Sequence, residues 1–155
     1  MERTEGAGAR RVCIAEAAIE VIARNGGRGL SHRAVDSALG LPLGSVSYYF
    51  RTRKALLGAA ITRLVQRDEQ DVRDLVEALR KRGAAPDAAT FVLELVRRWS
   101  RRDNRIWLAA RFELLLEAAR VGSQHPLIAA RRKFLARAQA LFVSLGAETP
   151  AISAR

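Results

Sequence analysis

The segment SHRAVDSALGLPLGSVSYYFRTRK, residues 31–54, contains two short apolar stretches on either side of a Gly-Leu-Pro break. This pattern predicts a helix-turn-helix. Ser31 occupies an N-cap position, so we expect the first helix to begin there and to end at Leu39, because a glycine and a proline follow closely. A second, shorter helix is expected from Leu43 to about Tyr49. The rest of the chain is interpreted as support for this motif.

The second predicted helix has two different faces. At 100° per residue, Leu43, Val46 and Phe50 fall on one side, which is predicted to face the core. A glycine, a small hydroxyl and two tyrosines that point away from this core face fall on the other side: Gly44, Ser45, Tyr48 and Tyr49. Such a face can approach another surface closely and offer phenol donors to it. The N-terminus of a helix that reads the DNA major groove has this shape.

Basic residues surround the motif. Residues 24–54 contain a single acid, Asp36, and these basic side chains: Arg24, Arg28, Arg33, Arg51, Arg53 and Lys54. Such a cluster indicates contacts to phosphates. The alternative is an ordinary solvated basic surface, because most of the basic excess lies outside the motif. Residues 61–155 hold 18 basic and 11 acidic side chains, whereas residues 1–60 hold 9 and 5.

At these residues the sequence resembles the DNA-binding head of TetR-family transcriptional regulators. The resemblance covers residues 10–64 and is most specific over residues 40–57, GLPLGSVSYYFRTRKALL. Ser47 departs from the pattern, because many members carry at this position a tyrosine that contacts the DNA backbone. That contact is expected to be lost here or taken over by Tyr48.

The resemblance implies which residues meet DNA. Phosphates would be held by Arg33, Tyr48, Arg51, Arg53 and Lys54. Base edges would be met by Gly44, Ser45 and Tyr49. Ser31, as the cap of the first motif helix, is assigned to the same interface.

The remaining sequence predicts an all-α protein. Helical periodicity extends over residues 10–24, from a cap at Thr52 to about 81, and over 88–101, 104–121 and 126–146, and no stretch has the alternation of a strand. Residues 80–88 form the clearest break, with Asp87 as the expected cap of the next helix. The GGRG segment at 26–29 is interpreted as a connector rather than a phosphate loop, since no strand and no Gly-Lys-Ser/Thr accompany it.

These patterns define three parts: a flexible leader at 1–9, a DNA-binding domain at 10–51 and a helical part at 52–155. By resemblance to the family, the third part would bind an effector and form a homodimer. Members usually continue for two further helices that build most of the dimer interface. This chain is therefore expected to be either a short member or a sequence without its natural end.

Candidate effector-binding residues lie in the C-terminal half. Trp99, Trp107, Phe112 and Leu115 could line an apolar cavity, and Arg111 could orient an anionic or polar group. The alternative for each of them is a plain role in the core.

Composition limits the partners. The net charge of +11 and the pI near 11.3 favour nucleic acid first and an anionic membrane surface second. No apolar run approaches the roughly 18 residues of a membrane span, and no signal peptide is evident, so a cytoplasmic location is expected. The single cysteine, Cys13, allows no internal disulfide and is interpreted as a buried structural thiol.

An enzyme is not expected. The only histidines, His32 and His125, lie far apart in sequence and have no partner at metal-ligand spacing. Glu113 and Glu117 are interpreted as a solvated or Arg-paired helix edge, with Arg111 and Arg120 nearby, rather than an acid/base pair. No catalytic residue, metal or cofactor is therefore assigned.

The sequence as a whole predicts a ligand-responsive repressor that binds a palindromic operator on double-stranded DNA as a homodimer. The alternative is a small basic helical protein that binds DNA without sequence preference, or a helical interaction module. The operator, the effector and the regulated genes do not follow from the sequence.

Overall fold

The computed structural model describes residues 2–81 and 88–143 of the 155-residue chain. Within these ranges it is helical and contains no strand, which confirms the predicted fold class. The helices are α1 (Glu2–Asn25), α2 (His32–Ala38), α3 (Ser45–Tyr49), α4 (Arg53–Lys81), α5 (Ala88–Trp99), α6 (Arg105–Val121) and α7 (Pro126–Val143). Short 3-10 helices cover Gly27–Gly29 and Arg102–Asn104.

One core joins the N-terminal helices to the C-terminal half. Buried side chains from α1, α2 and α3 pack with the first half of α4, with α6 and with the start of α7. The largest of them include Ile14, Ile19, Ile22, Leu56, Leu64 and Leu114. Since residues 10–51 and 52–155 share this core, the predicted boundary between them stays a prediction.

A second core lies farther along α4. Val72, Val76 and Leu79 pack there with Phe91 of α5 and Phe134 of α7. The long helix α4 therefore carries both cores and connects the DNA-binding motif to the C-terminal helices. Every helix in the described ranges is too short or too polar to cross a bilayer.

The N-terminal helix is longer than expected. It begins at Glu2 rather than near Arg10, so residues 2–9, predicted to be a flexible leader, are helical. The described side chains of this extension, residues 6–9, are exposed. No proline interrupts the segment, and adding turns to an existing helix costs little compared with starting one.

The other helix ends agree closely with the prediction. The first helix stops at Asn25, and Gly26 adopts a positive φ of 71° after it. The Thr52 side chain caps α4 by accepting a hydrogen bond from the Ala55 N–H at 3.1 Å. The expected cap at Asp87 and residues 144–146 lie outside the described residues.

Candidate DNA-binding interface

The first motif helix is fixed at its N-terminus by two hydrogen bonds. The Ser31 hydroxyl accepts one from the Ala34 N–H at 3.1 Å, which confirms the predicted cap. The ring of His32 donates from Nε2 to the Phe50 carbonyl oxygen at 2.6 Å. The start of α2 is therefore tied to the end of α3.

Asp36 positions the second motif helix. Its carboxylate is buried and accepts the Gly44 N–H at 2.9 Å through Oδ2 and the Val46 N–H at 2.8 Å through Oδ1. With only five residues, α3 is too short to be stable by itself, so these bonds define where it begins. This role of Asp36 was not predicted, although a lone acid beside the apolar Val35 in a basic segment was a signal for it.

The second motif helix begins later than predicted. Gly44 is its N-cap, with a φ of 92°, and the Ser45 N–H bonds to the Pro42 carbonyl oxygen at 3.1 Å. A turn therefore occupies the position where the first helical residues were expected. As a result Leu43, which helical periodicity assigned to the core face, is 75% exposed, and that prediction is wrong. Val46 and Phe50 are buried as expected.

The predicted DNA-contacting residues are not equally accessible. Tyr48 is 81% exposed, and Arg33, Gly44, Arg51 and Lys54 are also exposed. Tyr49 is half-buried and packs against the main core, with its ring edge-on to that of Tyr48 at 5.2 Å between centroids. Ser45 is half-buried, and its hydroxyl donates to the Pro42 carbonyl oxygen at 2.7 Å.

Arg53 differs from its basic neighbours because its guanidinium is held by the chain itself. Nε donates to the Leu30 carbonyl oxygen at 3.0 Å and Nη2 to the Gly27 carbonyl oxygen at 2.6 Å. Nη2 also lies 3.9 Å from Oε1 of Glu117 on α6. The Arg53 side chain therefore fastens the connector between α1 and α2 to the start of α4.

Three solved structures are similar to this chain. The multidrug binding protein EbrR complexed with imidazole is 29% identical to it, with 88% of this chain and 68% of that chain aligned and a TM-score of 0.66. A TetR-family member from Streptomyces coelicolor A3 is 29% identical, with 88% and 82% aligned and a TM-score of 0.61. EbrR complexed with proflavin is 32% identical, with 88% and 84% aligned and a TM-score of 0.50. No protein-family model and no curated protein matches the sequence.

The chain belongs to the TetR family. It is therefore a DNA-binding transcriptional regulator, with a helix-turn-helix formed by α2 and α3 and a helical C-terminal half. The family consists of regulators rather than enzymes.

In this TetR-family chain the five predicted effector-binding residues are distributed over the two cores, a polar cluster and the surface, and their role stays a prediction. Trp107 and Leu115 pack against the main core, whereas Trp99 packs against the second core. Phe112 is 58% exposed on the outer side of α6. Trp107, Trp99 and Phe112 therefore lie in three different environments, which periodicity and composition do not distinguish.

Arg111 lies in a polar cluster between α4, α5 and α6. Its guanidinium is paired with the Asp68 carboxylate and stacks 4.3 Å from the centroid of the Trp99 ring. The Trp99 Nε1–H donates to Asp71 Oδ2 at 3.1 Å. Burial raises the pKa of Asp68, and the Arg111 charge acts in the opposite direction. This cluster joins three helices and leaves Arg111 engaged within the protein.

A cleft opens instead between α4 and α7. It has a volume of about 300 Å³, and its apolar lining consists of Val72, Phe134, Ala138, Ala140 and Leu141. Charged residues complete the lining: Glu69, Arg73 and Arg137. Arg137 Nη1 pairs with Glu69 Oε1 at 2.6 Å at its edge. An apolar cleft with charged groups at its edge suits a small amphipathic molecule.

Glu117 connects α6 to the DNA-binding motif. Its carboxylate lies so close to Gly27 that a Cβ at that position would overlap Oε2 and lie 2.8 Å from Cδ. The buried His125 accepts the Leu127 N–H through Nδ1, so Nε2 carries the ring hydrogen and faces Glu117 Oε2 at 4.0 Å. Glu117, interpreted from sequence as a solvated or Arg-paired helix edge, lies near Arg53 and is packed between the connector and the start of α7.

Proposed function

We propose that this TetR-family regulator is a repressor that binds a palindromic operator as a homodimer and releases it when a small amphipathic or aromatic molecule binds its C-terminal half. The attachment of α3 to Asp36 is the main observation in support of operator binding. It fixes the start of a short helix whose outer side is exposed beside two exposed cations, Arg51 and Lys54. A surface that is already ordered loses little conformational entropy when it binds DNA.

The proposed phosphate contacts are exposed side chains, whereas Ser45 and Tyr49 among the proposed base contacts are half-buried. Arg33, Tyr48, Arg51 and Lys54 hold phosphates, and base edges are met by Gly44, Ser45 and Tyr49. Arg53 is proposed to stabilise the interface without contacting DNA, because it donates to the carbonyl oxygens of Gly27 and Leu30. Ser31 has a similar supporting role as the cap of α2.

A selection of bound duplexes from a random pool tests this proposal. The full chain is expected to enrich a palindrome and to bind it with a log-log salt slope steeper than about −4, from four to six phosphates neutralised per head. Equal affinity for the enriched duplex and for random DNA would favour the non-specific basic protein instead.

The homodimer part rests on DNA geometry and on exposed apolar side chains. Two heads on one face of the duplex are expected to lie about 34 Å apart or at a longer spacing, and they need a two-fold interface between copies. Phe112 and Leu116 lie one turn apart on the outer side of α6, and both are half or more exposed, as is Leu135 on α7. These residues are proposed to contribute to that interface.

Sedimentation equilibrium tests the dimer directly. The full chain is expected to be dimeric at micromolar concentration, and Phe112→Glu is expected to shift it towards monomer. Val121→Glu, which places the same charge on an exposed apolar site on the opposite side of the same helix, is the matched control. A monomeric parent chain would contradict the proposal.

The cleft between α4 and α7 is the proposed effector site. EbrR has been crystallised with proflavin, so proflavin is a suitable probe of this chain. It is expected to raise the melting temperature with the logarithm of its concentration and to release the operator. Ala138→Phe, which fills the cleft, should abolish both effects, whereas Ala136→Phe on the exposed side of the same helix should preserve them.

The alternative effector site is the sequence-predicted set around Trp99, Trp107 and Arg111. If proflavin binds there, Ala138→Phe should leave the melting shift intact and Trp107→Leu should remove it. No shift with either proflavin or a broad set of metabolites would contradict the effector part of the proposal.

A further inference from the structure

Leu43 is an apolar side chain held on the outer surface of the DNA-binding motif. It is 75% exposed and directly precedes Gly44, the N-cap of α3. A leucine stabilises a fold mainly through its burial, so this side chain contributes little in its present position. Exposed leucines are common on protein surfaces, so a role for Leu43 depends on how and where its backbone is held.

The backbone on both sides of Leu43 is fixed. Before it, the Leu41 N–H bonds to the Asp36 carbonyl oxygen at 2.9 Å. After it, the Gly44 N–H bonds to the Asp36 carboxylate at 2.9 Å, and the Ser45 N–H and hydroxyl bond to the Pro42 carbonyl oxygen at 3.1 and 2.7 Å. The position from which the leucine projects is therefore set before any partner binds.

The major groove offers a specific partner for such a group. Thymine is the base that presents an apolar substituent there, its C5-methyl group, while the other edges are hydrogen-bond donors or acceptors. Leu43 can form no hydrogen bond and can gain energy only by covering an apolar group. We infer that Leu43 is a specificity-determining residue of this regulator, which packs against a thymine methyl group next to the bases that α3 meets.

This inference rests on the proposed function, because it requires a preferred operator. It assigns Leu43 a role that differs from those of Gly44, Ser45 and Tyr49, which contact polar base edges. A methyl contact discriminates thymine from uracil, two bases whose hydrogen-bonding groups are the same. A comparison of thymine with uracil therefore tests this contact separately from the hydrogen bonds of the interface.

The test replaces thymines of the selected duplex by deoxyuridine, one symmetric pair at a time, and measures the dissociation constant of the full chain. At one position in each half-site, the replacement is expected to weaken binding about fourfold for each methyl lost, the ratio that corresponds to about 0.8 kcal/mol per buried carbon unit. With Leu43→Ala the same duplexes should bind equally, because the partner of the methyl is gone. Leu93→Ala, an exposed leucine on α5, should retain the discrimination.

Three outcomes are distinguishable. The inference is supported if Leu43→Ala loses the thymine-to-uracil ratio of dissociation constants while the parent chain and Leu93→Ala keep it. If a preferred duplex exists but the parent chain and Leu43→Ala show the same thymine-to-uracil ratio, the inference is overturned and the proposed function stays intact. No preferred duplex in the selection overturns both.

Discussion

The Asp36 carboxylate of α2 accepts a hydrogen bond from the Val46 backbone N–H of α3 at 2.8 Å, and this bond links the two helices of the motif across ten residues of sequence. The same carboxylate accepts the Gly44 N–H, so it serves as the cap that glycine cannot provide through its own side chain. The two helices are therefore held together, and they are expected to meet DNA as one unit.

Replacing Asp36 is expected to destabilise the motif. In Asp36→Asn one of the two buried N–H groups faces an amide donor instead of an oxygen, which should lower the free energy of unfolding by about 1–3 kcal/mol. Asp36→Ala leaves both N–H groups without an acceptor and should cost more. Denaturant unfolding and operator binding measure the two effects, with the exposed Asp103→Asn as a control.

Lys54 and Arg51 are predicted to hold phosphates. Lys54→Ala and Arg51→Ala should each weaken specific and random duplexes by a similar factor, because phosphates carry no sequence information. Each lost contact should reduce the log-log salt slope by about 1, which is about 2 for a dimer. Lys133→Ala, an exposed lysine on α7, should leave the slope unchanged, and an unchanged slope for Lys54→Ala would contradict the assignment.

Arg53 should respond differently from its neighbours. Its guanidinium holds two carbonyl oxygens of the connector, so Arg53→Ala should lower the free energy of unfolding by about 1–3 kcal/mol. Arg53→Lys keeps the charge but cannot span both carbonyls, and it should recover only part of that loss. If Arg53→Lys restores full stability and Arg53→Ala acts mainly on the salt slope, the side chain is a phosphate contact instead.

The sequence predicted those features of the fold that depend on neighbouring residues. Helical periodicity and the caps at Ser31 and Thr52 are local properties, and the structure agrees with them. Leu43 was misplaced because the periodicity assumed that a helix already existed at Gly44, whose φ of 92° instead belongs to a turn.

Residue roles that depend on distant contacts were not predictable in the same way. The acceptors of Arg53 lie 23 and 26 residues away in sequence, and a count of basic residues cannot reveal them. Likewise, the spacing of Trp99 and Trp107 places both on amphipathic helices but does not say that they face different cores. The cleft between α4 and α7 depends on how two helices that α5 and α6 separate in the sequence pack together, which no local pattern specifies.

The contact between Gly27 and Glu117 joins the connector of the motif to α6 and gives the last prediction. A methyl group at position 27 would displace the Glu117 carboxylate, which is confined by His125 and Arg53, so Gly27→Ala should lower the free energy of unfolding by about 1–3 kcal/mol. In the background of Glu117→Ala the space is free, and most of that cost should disappear.

The size of the coupling is obtained from the four unfolding free energies of the parent, the two single variants and the double variant. Gly58→Ala is the matched control, because a Cβ at that helical glycine meets nothing within 4 Å. It should be neutral or stabilise the chain by up to about 1 kcal/mol. Additive effects of Gly27→Ala and Glu117→Ala would show that the connector and α6 are not in energetic contact, and the role assigned to Glu117 would then be wrong.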